Sequence, residues 1–263
     1  MPFRDELVDI GGRRLHMTCA GEGTPTIVLE AGMGDTLATW ASILGRLAGV
    51  TTVLSYTRAG LGQSDPAPLP RTLQAMVADL GKLLSIVAVP APYVLVGHSF
   101  GGQIVRLFAA QYPRETSAIV LVDPSHEDKY AHFKAVLSEE LIERQDRFLH
   151  DPTANSDSID LLESRRQMHA ASTVLNVPLV VMSRGATDEQ SPVWPSPELQ
   201  KVELQLQRDL LKVPGHGLRR HIVAERSGHF IHHDEPELVI SAIKEVIEAA
   251  MPRSTGPYSP LSS

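Results

Sequence analysis

The sequence has few of the features that mark secreted, membrane-embedded or disulfide-stabilised proteins. Its 263 residues include a single cysteine, Cys19, so no disulfide can form within the chain, which favours a reducing compartment. No apolar run approaches the roughly 20 residues of a membrane-spanning helix. The amino terminus also lacks the apolar stretch of a secretory signal. We therefore predict a cytoplasmic protein with no membrane span.

Positively charged residues are fewer than negatively charged ones. Lys and Arg total 24 against 31 Asp and Glu, which gives a formal net charge of −7. Because nucleic acids and membrane surfaces are anionic, this balance argues against either as a partner. Hydrophobic residues make up 43% of the chain, so a packed core is expected.

Short apolar segments alternate with helical patterns along most of the chain. A hairpin is predicted around Gly11-Gly12, since Gly-Gly is a turn signal between strands. Further strands are predicted at 26–29, 51–56, 93–96, 118–122, 178–182 and 220–224, and helices at 73–87, 103–111, 198–211 and 236–250. This alternation indicates an α/β fold with a doubly wound, mostly parallel sheet.

The alternation is interrupted once, between residues 124 and 176. This segment is polar, has helical stretches and shows no clear strand. We interpret it as a small helical cap inserted into a core formed by 1–123 and 177–251, because ligands of open α/β sheets bind at the edge where it emerges. A decorated crossover connection is the alternative. The Pro/Ser/Gly-rich tail at 252–263 is predicted to be disordered.

The Gly-His-Ser-Phe-Gly sequence at 97–101 is the strongest indication of chemistry. It matches the pattern of a nucleophile elbow, in which a serine occupies a sharp turn between a strand and a helix. The predicted strand 93–96 precedes it and the predicted helix 103–111 follows, which is the context that the pattern requires. Ser99 is therefore the predicted nucleophile.

A serine nucleophile needs a general base, because its hydroxyl is weakly nucleophilic at its ordinary pKa. His229 fits, since it follows the last predicted strand and precedes the last predicted helix, at the same sheet edge as Ser99. His232 and His233 lie nearer to that helix, where solvent or capping contacts are expected. His98 is expected to point away from the position of the base.

Two backbone N–H groups are expected to bind the oxyanion that acyl transfer generates. Phe100 supplies the first, because it lies at the start of the helix after the elbow. Met33 supplies the second, from the glycine-rich loop after the strand 26–29.

The acid that orients His229 has two candidates. Asp123 ends the strand 118–122, where a carboxylate faces the sheet edge. Asp188 follows the later strand 178–182. From the residues alone, both stay open.

Together these residues resemble the α/β-hydrolase superfamily, over nearly the whole chain from Leu7 to about Ala250. The segments that carry the resemblance are E-A-G-M-G at 30–34, R-A-G-L-G-Q-S at 58–64, G-H-S-F-G-G at 97–102 and S-G-H at 227–229. The chain is most similar in pattern to bacterial hydrolases of broadly assigned function. The resemblance implies a Ser–His–acid triad with no cofactor. No metal site is predicted at His232, His233 and Asp234, because adjacent residues rarely project to one centre.

The sequence departs from the family pattern at three places. Ala31-Gly32 replaces the usual His-Gly of the oxyanion loop. Thr57 replaces an acidic residue that usually precedes Arg-Gly, so an ion pair in that loop is expected to be lost. Asp188 follows its strand at a longer offset than the usual Gly-x-x-Asp, and some similar hydrolases take the acid from the earlier strand. The resemblance therefore favours Asp123, by analogy of fold.

A serine in the elbow predicts a hydrolase of the carboxylic ester type, acting on a small ester, lactone or related acyl substrate. Dehalogenases and epoxide hydrolases resemble the pattern but use an aspartate there. Two alternatives stay open: the same triad serving a hydroxynitrile lyase, perhydrolase or cofactor-free oxygenase, and a catalytically silent ligand receptor. The expected partner is a small-molecule acyl substrate, and a homodimer is compatible with the sequence.

Overall fold

A single sheet organises the part of the chain that the structure describes. The structure is a computed structural model, and it describes residues 3–171, 174–186 and 197–251. Its strands are β1 (Arg4–Asp9), β2 (Arg14–Ala20), β3 (Thr26–Glu30), β4 (Val53–Tyr56), β5 (Tyr93–His98), β6 (Thr116–Val122), β7 (Leu179–Arg184) and β8 (Arg219–Ala224). They form one sheet in the order β1-β2-β4-β3-β5-β6-β7-β8.

The direction of the strands changes across the sheet. β1 pairs with β2, and β2 with β4, in antiparallel fashion, whereas the pairs from β4 to β8 are parallel. Gly11 and Gly12 have φ values of +92° and +94°, which allow the tight turn between β1 and β2. β3, β5 and β7 are buried along their whole length, because parallel strands are covered on both faces.

Helices cover both faces of the sheet. They are α1 (Ala41–Leu47), α2 (Leu73–Val87), α3 (Gly101–Gln111), α4 (Lys129–Phe133), α5 (Glu139–His150), α6 (Leu161–Ala170), α7 (Pro197–Asp209), α8 (Ile231–Asp234) and α9 (Pro236–Ala250). One core cluster contains Leu80 of α2 and Phe108 of α3, and the other contains Leu47 of α1 and Ile243 of α9. The predicted doubly wound α/β fold is confirmed.

Most predicted elements match the observed ones to within a few residues. The bounds of α2 and α9 are those predicted, while β4 starts at Val53 instead of 51 and α3 starts at Gly101 instead of 103. The sequence pattern does not predict α1 or α8. None of the helices in the described ranges has the length and apolar character needed to cross a membrane.

The segment between β6 and β7 carries α4, α5, α6 and a short 3-10 turn at Pro152–Ala154. Ile159 of this segment forms an isolated parallel bridge with Arg71, which precedes α2. The interpretation of 124–176 as a cap over the core 1–123 and 177–251 stays a prediction. The tail at 252–263 lies outside the described residues.

Cys19 lies inside β2, with none of its surface exposed. It is paired in register with Arg4 of β1 on one side and with Leu54 of β4 on the other. Burial raises the pKa of the Cys19 thiol. A buried thiol of this kind behaves as a small apolar core residue.

Candidate active site

Ser99 occupies the turn between β5 and α3, at the carboxyl edge of the parallel strands. Its φ is +52°, in the left-handed region that non-glycine residues rarely adopt and that often marks functional turns. The neighbouring glycines make the turn possible. A Cβ on Gly97 would lie 2.7 Å from the carbonyl oxygen of Gly101, and a Cβ on Gly101 would lie 2.5 Å from that of Ala31.

His229 and Asp123 meet at the same edge. His229 follows β8 and Asp123 follows β6, and the Nδ1 of His229 lies 2.6 Å from Oδ2 of Asp123. The residues are 106 positions apart in sequence, so the order of the strands brings them together. Asp123 is buried and has a φ of +42°, so two residues of this edge, Ser99 and Asp123, have left-handed backbones.

Asp123 is surrounded by donors. Its Oδ1 accepts a hydrogen bond from the backbone N–H of Arg184 at 3.2 Å and another from Nε2 of Gln207 at 2.9 Å. Burial alone would raise the pKa of Asp123, but the hydrogen bond from His229 and the charge of Arg184 outweigh it and hold the pKa well below its usual range. The carboxylate of Asp123 is therefore ionised in the folded protein at neutral pH.

Asp188 lies outside the described residues, and its assignment stays a prediction. The end of β7 instead places Arg184 beside Asp123, with Nη1 3.6 Å from Oδ2.

His98 does not lie where the sequence suggests. Its ring packs against that of His229, with centroids 4.6 Å apart, and its Nε2 donates to the carbonyl oxygen of His229 at 3.0 Å. Burial lowers the pKa of His98, so the ring is neutral near pH 7. His98 thus supports the loop that carries His229 instead of pointing away from it.

The expectation of solvent or capping contacts is wrong for His232. This side chain has no exposed surface, stacks on Trp40 at 4.4 Å and lies 2.9 Å from Oγ1 of Thr39. Burial lowers its pKa to about 2. The neighbouring His233 is exposed, and its Nε2 donates to the carbonyl oxygen of Thr39.

The loop after β3 is fixed by Arg58, contrary to the expectation drawn from Thr57. Arg58 is buried and pairs with Glu30 at 2.6 Å and with Asp157 at 2.7 Å. Its guanidinium also donates to the carbonyl oxygens of Ala31 and Gly32. The ion pair expected to be lost is therefore replaced by two carboxylates from distant parts of the chain.

These contacts orient the peptide that carries one predicted oxyanion donor, the N–H of Met33. In a trans peptide the C=O and N–H point in opposite directions, so engagement of the Gly32 carbonyl directs the N–H of Met33 away from Arg58. The N–H of the next residue, Gly34, donates to Asp157 at 2.6 Å. Phe100 directly precedes Gly101, the first residue of α3. The loop after β3 packs closely against α3 at Gly101.

Comparison with known proteins identifies the family. The family described as alpha/beta hydrolase fold matches residues 25–157. The uncharacterized protein YqjL of Bacillus subtilis (strain 168) is 30% identical over 242 residues, which cover 90% of this chain and 89% of YqjL. The chain belongs to the α/β-hydrolase family. The predicted resemblance is confirmed, and membership of this family supports hydrolase activity.

Solved structures of α/β hydrolases share this fold. The alpha/beta hydrolase domain-containing protein 10 from mouse superposes with a TM-score of 0.70 at 16% identity, covering 94% of this chain and 99% of the mouse chain. The 2-hydroxy-6-oxo-6-phenylhexa-2,4-dienoate hydrolase from Rhodococcus sp. strain RHA1 gives 0.65 at 17% identity, with coverages of 94% and 99%. At these identities the likeness shows the fold alone.

In this α/β hydrolase, the site combines a strained serine turn with a histidine–carboxylate pair at one sheet edge. Such a pair can accept a proton from a hydroxyl and stabilise the imidazolium that forms. Sequence reasoning missed the residues behind it, Arg184 and Gln207. No local signal marks them, because their relation to Asp123 depends on how β6, β7 and α7 pack.

Proposed function

We propose that the chain is a serine hydrolase that cleaves a small carboxylic ester, lactone or related acyl substrate through an acyl-enzyme on Ser99. The observation that carries the proposal is the 2.6 Å contact between His229 and the buried Asp123, at the sheet edge where Ser99 occupies its left-handed turn. A serine at this position favours acyl transfer, because a serine alkoxide attacks carbonyl carbon and leaves an ester that water can hydrolyse.

The proposed mechanism has two balanced halves. The hydroxyl of Ser99 adds to the substrate carbonyl while His229 takes its proton, and the collapse of the tetrahedral intermediate expels the alcohol, which receives that proton. Water then attacks the acyl-enzyme with His229 again as base, and the acid product and free Ser99 are formed. Asp123 holds the imidazole tautomer and stabilises the imidazolium.

The N–H groups of Phe100 and Met33 are proposed to bind the oxyanion in both halves. The support for Met33 is the direction that Arg58 imposes on the peptide it shares with Gly32. The support for Phe100 is its position directly before α3, where backbone N–H groups lack helical partners.

The proposal is tested first by covalent labelling. A fluorophosphonate probe should label the wild-type protein once, at Ser99, as located by peptide mass spectrometry. Ser99→Ala should abolish labelling, and Asp123→Asn should slow it by about 10³-fold or more, since the acid of a triad contributes on that order. Ser117→Ala is the matched control, because Ser117 lies at the opposite end of β6, where its hydroxyl donates to the carbonyl oxygen of Tyr93.

A substrate panel then defines the reaction. Chromogenic esters and lactones of increasing acyl length should be hydrolysed by wild type and not by Ser99→Ala. Cyanide release or oxygen consumption without ester hydrolysis would replace the proposal by a lyase or oxygenase using the same residues. Ligand binding without turnover, unaffected by Ser99→Ala, would indicate a receptor.

A further inference from the structure

The end of β7 holds a buried cation directly behind the proposed triad. Arg184 is the last residue of β7 and is only 5% exposed. Its guanidinium lies between two carboxylates, with Nη1 3.6 Å from Oδ2 of Asp123 and Nη2 bonded to Oε2 of Glu203 on α7. A buried charge is costly unless it is paired, so this arrangement requires all three groups together.

The two oxygens of Asp123 are used differently. Oδ1 is occupied by neutral donors, namely the backbone N–H of Arg184 and the amide of Gln207, which also donates to the carbonyl of Pro124. Oδ2 is shared between His229 and the guanidinium of Arg184. Rotation of the carboxylate away from His229 would break contacts on both oxygens.

We propose that Arg184, anchored by Glu203, is a positioning residue that holds the carboxylate of Asp123 toward His229 and sets the charge behind the pair. This inference rests on the proposed function, since it assigns a role to a residue behind the proposed triad. Arg184 acts through Asp123 and does not itself touch the reacting atoms. Glu203 keeps the guanidinium in place and cancels part of its charge.

The charged groups around the pair come from several elements. Arg184 on β7, Glu203 on α7 and Lys129 on α4 lie on the side of Asp123. His98 on β5, His232 on α8 and Asp35 in the loop after β3 face His229. Burial raises the pKa of Glu203, while Lys129 and Arg184 favour its ionised form. Removing a negative charge from this set makes protonated His229 less stable, and removing a positive charge makes it more stable.

The isosteric variant Glu203→Gln tests the charge. It removes a negative charge and keeps the size of the side chain, so protonated His229 becomes less stable. The rate of fluorophosphonate labelling at Ser99 should rise with pH as His229 loses its proton, and the midpoint of this rise should move to lower pH by about half a unit. This is less than the one to three units seen for directly paired charges, because Glu203 acts from behind Asp123.

Variants of Arg184 test the positioning. Arg184→Met should lower the maximal labelling rate by about tenfold and move the midpoint to higher pH, since a cation is lost beside Asp123. Arg184→Lys keeps the cation and should return the midpoint toward the wild-type value, while the maximal rate recovers only in part, because an ammonium cannot span both carboxylates. A residue with a purely structural role would not produce opposite midpoint shifts in Glu203→Gln and Arg184→Met.

Asp79→Asn is the matched control. Asp79 is also a buried carboxylate, but it lies on α2 and pairs with Arg13 and Arg71, which are outside the proposed site. Removing the charge of Asp79 should lower the melting temperature without moving the midpoint of the labelling rate against pH. Circular dichroism of every variant checks folding, and if Arg184→Met does not fold, Glu203→Gln and Arg184→Lys carry the test.

A second measurement separates this inference from the proposed function. NMR titration of the His229 ring in the Ser99→Ala background, with and without Glu203→Gln, reports the same midpoint shift without any turnover. Absence of labelling in the wild type would overturn the proposed function and leave this titration to decide the role of Glu203 and Arg184. A midpoint unchanged by Glu203→Gln, or a wild-type labelling rate in Arg184→Met, would overturn the inference.

Discussion

At the scale of single residues, the turn at Ser99 is defined by the space that Gly101 leaves. A Cβ there would lie 2.5 Å from the carbonyl oxygen of Ala31 and 2.6 Å from that of Glu30. Both atoms belong to backbone, so they cannot move aside as a flexible side chain could. The first turn of α3 and the loop after β3 can be this close only because the residue is glycine.

Replacing Gly101 by Ala should therefore separate α3 from the loop after β3. We expect a loss of about 2–3 kcal/mol in the free energy of unfolding, at the upper end of the cost of overpacking, because backbone must shift. Labelling at Ser99 should slow by at least tenfold, since the proposed oxyanion donors, the N–H groups of Phe100 and Met33, would move relative to each other. Urea denaturation and labelling rates measure the two effects.

Gly45→Ala is the control for this substitution. Gly45 lies within α1, and a Cβ there would meet no atom within 4 Å. Because alanine is the better helix former, this variant should gain up to about 1 kcal/mol of stability and label at the wild-type rate. Equal losses in both variants would mean that glycine content, and not the contact at Gly101, determines the result.

Residue-scale prediction from the sequence succeeds where a local pattern exists and fails where burial decides. The elbow around Ser99 could be recognised because its glycines and flanking elements are contiguous. His232 could not be recognised as a core residue, because its partners, Trp40 and Thr39, are more than 190 positions away.

At the scale of elements, Asp157 connects the segment between β6 and β7 to the loop after β3. Its Oδ1 accepts a hydrogen bond from the N–H of Gly34, and its Oδ2 accepts one from Nε of Arg58. One carboxylate thus fixes both the loop and the arginine that orients the loop. The position of Met33, a proposed oxyanion donor, therefore depends on an element outside the sheet.

Asp157→Asn should loosen this connection. The amide retains one acceptor but leaves Arg58 with Glu30 as its remaining charged partner, so we expect a loss of about 1–3 kcal/mol in stability. Labelling at Ser99 should slow by about tenfold. This is less than the 10²–10³-fold cost of removing an oxyanion donor outright, because Met33, the proposed donor, is displaced and not removed. Thermal denaturation measures the loss of stability, and a time course of fluorophosphonate labelling measures the rate.

Asp160→Asn provides the comparison for Asp157→Asn. Asp160 caps the amino terminus of α6 by accepting the N–H of Glu163, and asparagine caps helices about equally well. This variant should match wild type in stability and labelling. A similar decline in both variants would show that any change of charge in this segment has the effect, which would contradict the specific role of Asp157.

Most strands of the sheet could be predicted because they follow from a local apolar pattern, and the hairpin of β1 and β2 could be predicted from the Gly11-Gly12 turn. α1 could not, because it has only seven residues and contains a glycine, and Trp40, the residue before it, provides no side-chain cap. Neither periodicity nor a start signal therefore marks it. The carboxylates around Arg58 were also missed. They lie 28 and 99 positions away, and only the tertiary fold shows that Glu30 and Asp157 meet it.

At the scale of the whole molecule, two buried neutral histidines make stability depend on pH. Burial lowers the pKa of His98, and it lowers that of His232 to about 2, against 6.5 for an unperturbed histidine. Below pH 6.5 the unfolded chain takes up protons that the folded chain excludes, so the free energy of unfolding falls as the pH falls. Carboxylates with lowered pKa, such as Glu127 at about 2, add to this loss only below about pH 4.5.

Between pH 7.5 and 5.5 the histidines should therefore dominate the slope. His232 alone should contribute a loss of about 1.4 kcal/mol by one pH unit below its unfolded pKa. His232→Gln should be less stable than wild type at pH 7.5, because the contact with Trp40 is reduced, but its stability should fall less steeply toward pH 5.5. Urea denaturation at pH 7.5, 6.5 and 5.5 gives the slopes.

The adjacent His233 supplies the control for His232. His233→Gln makes the same exchange at an exposed position, so the difference between the two slopes isolates the effect of burying His232. If His232→Gln kept the wild-type slope, the burial of His232 would not be the source of the pH dependence.

The position of Cys19 makes the antiparallel edge of the sheet open to a simple chemical measurement. The chain has one thiol, and that thiol is enclosed between β1 and β4. An alkylating reagent can reach it only while this edge is open, so the rate of alkylation under native conditions reports how often the edge opens. Since the proposed site lies toward the parallel strands, a substrate analogue that slowed alkylation would show that occupancy of the site is coupled to the far edge of the sheet.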